Sequence, residues 1–214
     1  KTGTPTFLMK LIKERNFKID SFENLIIDGI AFDKYDISNL DIIPLLVQTG
    51  YLTVKSVNPV KNKYILSYPN NEVRKSFEVY LLAALTENPL DKNSTLLNDL
   101  CIALQNNDIE KFIHLLKILF KNITYPLIDN KENYYHSIFY LVIKLLSFDI
   151  ETEVLTSDGR IDAVIKMETH IYIIEFKLGT AQEAINQIKK KQYHLKYEAE
   201  KKEIVLLGIG FDTE

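Results

Sequence analysis

The segment 170–178 reads His-Ile-Tyr-Ile-Ile-Glu-Phe-Lys-Leu. Side chains alternate across a strand, yet Tyr172, Ile173, Ile174 and Phe176 are apolar at both parities, so neither face of this segment suits water. Such a strand belongs inside a sheet with a layer on each side. Its neighbours must therefore flank and cover it, and the sequence supplies them. Residues 150–156 are predicted as a strand, Ser157-Asp158-Gly159 as a turn, and residues 160–167 as a second strand. Thr180-Ala181-Gln182-Glu183 is a capping box, in which the Thr hydroxyl accepts from the Glu183 amide and the Glu carboxylate reaches back. The helix so started is expected to reach about Tyr197, with Ala181, Ala184, Ile185, Ile188 and Leu195 buried. Residues 203–208 are expected as a fourth strand, and residues 134–146 as an apolar helix before the first. The expected core over 131–214 is thus α-β-β-β-α-β, in an α+β chain.

Ahead of this core the periodicity is helical. Phe7, Leu8, Leu11 and Ile12 have helix spacing, and a second helix is expected over 41–49, ended by Gly50 at the C′ position. Residues 51–54 and 63–66 read as strands around the Asn58-Pro59 turn. Residues 1–70 then suit either a winged-helix-like segment or a small α+β packing module. Residues 71–130 read as a helical connector. Asn70 or Asn71 caps a helix carrying Val73, Phe77, Leu81 and Leu85, and residues 94–105 and 108–120 continue it, broken by Asn106-Asn107. Pro126 marks a further break. The opening Thr2-Gly3-Thr4-Pro5-Thr6 has no initiator Met and reads as the interior of a longer chain.

Composition narrows the function classes. The single Cys101 excludes an internal disulfide and fits a reducing, cytoplasmic setting. No apolar run reaches the 18 or so residues of a membrane helix, so no membrane partner is expected. No GxxxxGK[ST] loop is present, so ATP binding is not expected in these residues. The net charge is −3, and residues 131–214 carry 11 Lys and Arg against 14 Asp and Glu. Nucleic-acid binders are often basic, but a protein that meets phosphates through metal ions can be acidic, because the ion supplies the positive charge.

The chemistry gathers on two neighbouring strands. With Glu168-Thr169 as a two-residue hairpin turn, Asp162 lies opposite Glu175, Arg160 opposite Lys177 and Val164 opposite Ile173. Opposed residues share a face with Cβ atoms roughly 4.5–5.5 Å apart, whereas a three-residue loop would send Glu175 to the other face. Two facing carboxylates repel, and burial makes this worse. A hard divalent cation removes the repulsion, and Mg²⁺ commonly takes one or two carboxylates together with water and phosphate oxygens. The set suits phosphodiester hydrolysis better than acyl transfer, for which no Ser/His/Asp or Cys/His arrangement is visible.

Gly159-Arg160-Ile161-Asp162, then Glu175-Phe176-Lys177, then Ala184-Ile185-Asn186-Gln187-Ile188 resembles the C-terminal PD-(D/E)XK nuclease-like domain of a family of bacterial AAA-ATPase-like proteins. Glu132-Asn133-Tyr134-Tyr135-His136 fits the helix before that domain. Thr2-Gly3-Thr4-Pro5-Thr6-Phe7 resembles the exit from the family's ATPase domain. The resemblance implies a restriction-endonuclease-like fold and hydrolysis of DNA or RNA with Mg²⁺ or Mn²⁺. It also implies an ATPase domain in the same full-length chain. Carried over, Asp162 and Glu175 bind metal, Lys177 is catalytic and Gln187 supports the site. Ile161 stands where the motif's name has Pro. The rival reading is a non-catalytic module that binds nucleic acid or protein for the ATPase. Glu153 could join the site or be a solvated strand charge. Lys189, Lys190 and Lys191 could meet phosphates or form a solvated helix face. His136 and Glu132 could border the site, with a structural role for His136 as the alternative. His114, His170 and His194 have no ligand-like spacing, and Cys101 reads as a buried small hydrophobe.

Overall fold

A computed structural model describes residues 6–14, 22, 24–29, 42–123, 131–157 and 159–211. Thr2 to Pro5, Pro126 and Asp158, singled out above, lie outside these residues. The chain forms two compact units, one from Lys1–Asp99 and Glu110–Pro126, the other from Leu100–Ile109 and Leu127–Glu214.

In the first unit, α1 (Thr6–Glu14), β1 (Leu25–Asp28) and α2 (Ile42–Gln48) precede the hairpin β2 (Thr53–Asn58) and β3 (Lys63–Ser67). The four-residue β1 has no counterpart among the predicted strands; it pairs antiparallel with β3, giving the sheet order β1-β3-β2. Gly50 takes φ +80° and ends α2 as expected. Its amide bonds the Val47 carbonyl, and the Tyr51 amide bonds the Leu46 carbonyl, a Schellman closure. This closure explains why β2 begins at Thr53 and not at Tyr51: Tyr51 and Leu52 finish the helix end and are buried there. Next come α3 (Asn71–Thr86), α4 (Leu90–Gln105), whose residues from Leu100 on belong to the second unit, and α5 (Ile109–Lys121). Asn70 caps α3, its side chain accepting from the Val73 amide at 2.9 Å. The apolar stripe Phe77, Leu81 and Leu85 is buried, and the Phe77 ring packs against Phe22, Tyr51 and Tyr68.

The second unit has three layers. Its sheet contains β4 (Asp149–Thr156), β5 (Gly159–Lys166), β6 (His170–Leu178) and β7 (Glu203–Phe211) in spatial order β4-β5-β6-β7. The first three strands are antiparallel, and β7 runs parallel to β6. A parallel neighbour needs a crossover, supplied by α7 (Ala181–Lys190) and a 3-10 segment, Tyr193–Glu200. The apolar-on-both-faces strand is central, as its composition requires. On one side Phe176 meets Phe139 and His136 of α6 (Lys131–Leu145), and the Tyr172 hydroxyl bonds the Leu104 carbonyl and the Asn107 side chain. On the other side Ile171 and Ile173 pack with Ile188, Tyr193 and Tyr197.

The capping box at Thr180 forms as the sequence indicates, but the helix it starts stops at Lys190, well short of Tyr197. The stripe ends there because the next positions that would face the sheet are Lys191 and Gln192. Gln192 turns left-handed at φ +49°, and Leu195, expected in the core, is 52% exposed. The last strand extends past Gly208 to Phe211. Gly208 and Gly210 let α7 lie close to β7. A Cβ on Gly208 would stand 2.4 Å from the Ala181 carbonyl oxygen, and one on Gly210 2.4 Å from the Gly179 carbonyl oxygen. Backbone atoms cannot swing aside, so Gly208→Ala should cost about 1–3 kcal/mol by overpacking. Urea denaturation checks this; an unchanged midpoint would show that the helix docks by other means.

Candidate active site

The predicted register holds along the central hairpin. Ala163 pairs with Ile174, Val164 with Ile173 and Ile165 with Tyr172, and the Met167 amide bonds the His170 carbonyl across the Glu168-Thr169 turn at 2.9 Å. The recorded pairing ends one step short of Asp162 and Glu175. There the Asp162 carboxylate accepts the Phe176 amide at 2.8 Å, so its side chain bridges the two strands. The β4 ladder is interrupted at the same place. Glu153 falls between the pairs Thr152–Ala163 and Val154–Ile161 and takes a left-handed φ of +56°. Regular sheet gives way to a site where the polar residues begin.

Glu175 is 2% exposed although it carries a carboxylate. Alternation puts it, with Lys177, on the face that Ile171 and Ile173 share with α7. Its Oε1 accepts a hydrogen bond from Gln187 Nε2 and lies 4.0 Å from Lys177 Nζ. Its Oε2 is buried and, among the described residues, has no hydrogen-bond partner. Burial, and after it the negative charge of Asp162, push its pKa up to about 7. Lys177, Gln187 and the Asp162 amide pull the other way without prevailing. A buried carboxylate with one unsatisfied oxygen, beside a second carboxylate, is a place that a small cation would stabilise. Among the described residues no three His, Cys, Asp or Glu side chains cluster, so the two carboxylates would share such an ion with water or phosphate oxygens.

Gln187 reaches Glu175 because α7 docks against the glycines of β7, which stand beside Glu175 and Lys177 in register: Gly208 next to Glu175, Gly210 next to Lys177. Other candidates lie elsewhere. Arg160 pairs with Leu155 of β4 and its guanidinium meets the Glu153 carboxylate, while the β5–β6 pairing stops at Ala163 and Ile174, short of Arg160 and Lys177. That ion pair, about half exposed on both sides, also occupies Glu153. His136 packs at a tilt against Phe176 with ring centroids 4.9 Å apart, on the sheet face opposite the carboxylates. The side chain of Glu132 lies outside the described residues. Lys189 to Lys191 are exposed. His170 binds Glu203 at 3.1 Å at the far end of the strand, and Cys101 is half-buried. One residue at the site had not been singled out from the sequence. Tyr193, 2% exposed, donates its hydroxyl to the Arg160 carbonyl at 2.9 Å. A helix continued through it would have put it on the side away from the Ala184 and Ile188 stripe, so helical periodicity gave no signal.

Residues 130–214 match the family described as the PD-(D/E)XK nuclease superfamily, and this segment is a domain of that superfamily. The chain is also similar to an uncharacterized protein in the vnfD 5′ region of Azotobacter chroococcum mcd 1. The two are 33% identical over 225 residues, which takes in 100% of this chain and 43% of the relative. No solved structure matches. Among the described residues no helix is long and apolar enough to cross a membrane.

The raised Glu175 pKa has a signed consequence for stability. The folded, metal-free protein holds that proton to about pH 7, whereas the unfolded chain releases it near 4.5. The contribution is therefore complete below pH 4.5 and is lost as pH rises towards 7, by no more than about 3 kcal/mol. In chelator, wild type should lose more stability than Glu175→Gln between pH 5 and 7.5 by urea denaturation. Parallel profiles would mean that Glu175 ionises normally.

Proposed function

We propose that this chain hydrolyses phosphodiester bonds in DNA or RNA with Mg²⁺ or Mn²⁺, using Asp162, Glu175, Lys177 and Gln187. The observation that carries the proposal is the buried Oε2 of Glu175, without a hydrogen-bond partner among the described residues and beside the charge of Asp162, on a domain of a nuclease superfamily. Asp162 and Glu175 would hold the cation, their second interactions fixing them in place: the Phe176 amide for Asp162 and the Gln187 amide for Glu175. The bound ion supplies Lewis acidity and lowers the pKa of a water. In hydrolysis the water loses a proton to solvent as its oxygen bonds to phosphorus, the bond to the leaving sugar oxygen breaks and that oxygen takes up a proton from solvent, and negative charge grows on the phosphoryl oxygens in between. Lys177, one third exposed and 4.0 Å from Glu175 Oε1, is the protein's cation at this face and can donate to the attacking water or to those oxygens.

The wider context is part of the same proposal. In the first unit a helix, a strand, a helix and a hairpin whose second strand pairs with β1 support a winged-helix-like segment over 1–70. The AAA-ATPase-like context, with an ATPase domain in the same full-length chain, rests on the resemblance of Thr2-Gly3-Thr4-Pro5-Thr6-Phe7. A cytoplasmic setting rests on the single Cys101. The second reading, a non-catalytic binding module, is favoured by the acidic balance of residues 131–214.

Single- and double-stranded DNA and RNA incubated with Mg²⁺, Mn²⁺ or EDTA separate the two readings. Cutting that EDTA abolishes is expected. Lys177→Ala should then lose roughly 10²–10³ in turnover while still folding, the size of effect typical for one transition-state stabiliser. If neither the chain nor its full-length form cuts any of the substrates, the binding-module reading replaces the enzyme.

A further inference from the structure

Lys189 and Lys190 end α7 and Lys191 caps it, but the three do not point the same way. At roughly 100° per residue, Lys191 lies within about 60° of both Ala184 and Ile188, the residues that α7 buries. Lys189 and Lys190 lie at least about 100° from both. The Lys191 amide still bonds the Gln187 carbonyl at 2.9 Å, so helical placement holds as far as this residue. One turn earlier on the same side stands Gln187, whose side chain reaches Glu175. The Lys191 side chain crosses to the start of β5. Its Nζ and Cε stand 3.8 and 3.9 Å from where a Cβ on Gly159 would be, and Gly159, at φ +151°, leaves that space open.

Other cations of the second unit have partners. Arg160 pairs with Glu153, Lys166 with Glu151 and Glu200, and the ammonium groups of Lys196 and Lys202 donate to the Leu155 and Met167 carbonyls. Lys191 is exposed, and among the described residues its ammonium meets neither a carboxylate nor a carbonyl. We propose that Lys191 binds a substrate phosphate that flanks the one being cut. The proposal rests on the nuclease reading of Asp162 and Glu175. Gly159 and Asp162 are three residues apart in β5, about 10 Å of strand, so the ammonium meets a different phosphate from the one at the carboxylates. A phosphate that does not react is held equally in the ground and transition states, so the contact lowers KM and leaves kcat unchanged. It reads no base sequence. A Lys191 that only complements the negative end of α7 would affect neither KM nor the choice of phosphate.

With Mn²⁺, Lys191→Gln should raise KM for the nucleic acid that is cut by about tenfold, the scale of one charge-assisted hydrogen bond, with kcat unchanged. Lys191→Arg should restore KM, and Lys189→Gln and Lys190→Gln should match wild type. Replacing substrate phosphates one at a time by uncharged methylphosphonates locates the partner. One position other than the cut should cost wild type about tenfold in KM and cost Lys191→Gln nothing further. A fall in kcat, an unchanged KM, or losses that add at every position would overturn the proposal. If wild type cuts no nucleic acid, the nuclease reading fails by itself, and fluorescence anisotropy of labelled DNA and RNA in EDTA decides the role of Lys191. Weaker binding by Lys191→Gln, with the slope of log affinity against log salt shallower by about 0.7–0.9, keeps the phosphate contact. Equal affinity and slope, or no binding by wild type, overturns it.

Discussion

Glu175 is a carboxylate in the central strand of a covered sheet, and the rest of the second unit is arranged around that burial. Removing a charge from water is costly, and a neighbouring carboxylate adds to the cost. The surrounding groups offset it only in part: Gln187 and the Asp162 amide hold the carboxylate, and Lys177 lies 4.0 Å away, yet among the described residues nothing bonds Oε2, and the pKa rises to about 7. A sequence selected for stability alone would place an apolar residue here, as it does at Ile171 and Ile173 on the same face. Local rules broken at a few adjacent positions, inside an otherwise regular sheet, are characteristic of a functional site.

The neighbouring strand accommodates this residue by omission. Gly208 and Gly210 stand next to Glu175 and Lys177, and their bare backbone admits the first turn of α7 at distances a side chain would forbid. The capping box fixes where that helix begins, and the approach to β7 brings Gln187 to the carboxylate. Tight packing, a defined helix start and one hydrogen bond are thus links in a single chain of cause.

Much of this was legible before any coordinates. Strand parity and the two-residue turn gave the Val164–Ile173 register, and with it the convergence of Asp162 and Glu175, because a period of two leaves no freedom once the turn is known. What the periodicity could not reveal depended on local backbone conformation. Lys191-Gln192 ends the buried stripe, but only the left-handed turn at Gln192 shows that the chain folds back and brings Tyr193 to the Arg160 carbonyl. The ion pair between Arg160 and Glu153 went unread because it is made to β4, where Glu153 lies two residues from Leu155, the partner of Arg160, and the expected register concerned β6. In the first unit, β1 escaped notice because four residues are too few to establish an alternation.

The central claim is that Asp162 and Glu175 together hold a divalent cation. Crystals soaked in Mn²⁺ and measured for anomalous scattering test it most directly. The account predicts one strong peak with an oxygen of each carboxylate within about 2–2.6 Å, the Glu175 ligand being Oε2. Asp162 and Glu175 with no peak between them, in crystals where Mn²⁺ binds elsewhere or not at all, would contradict it.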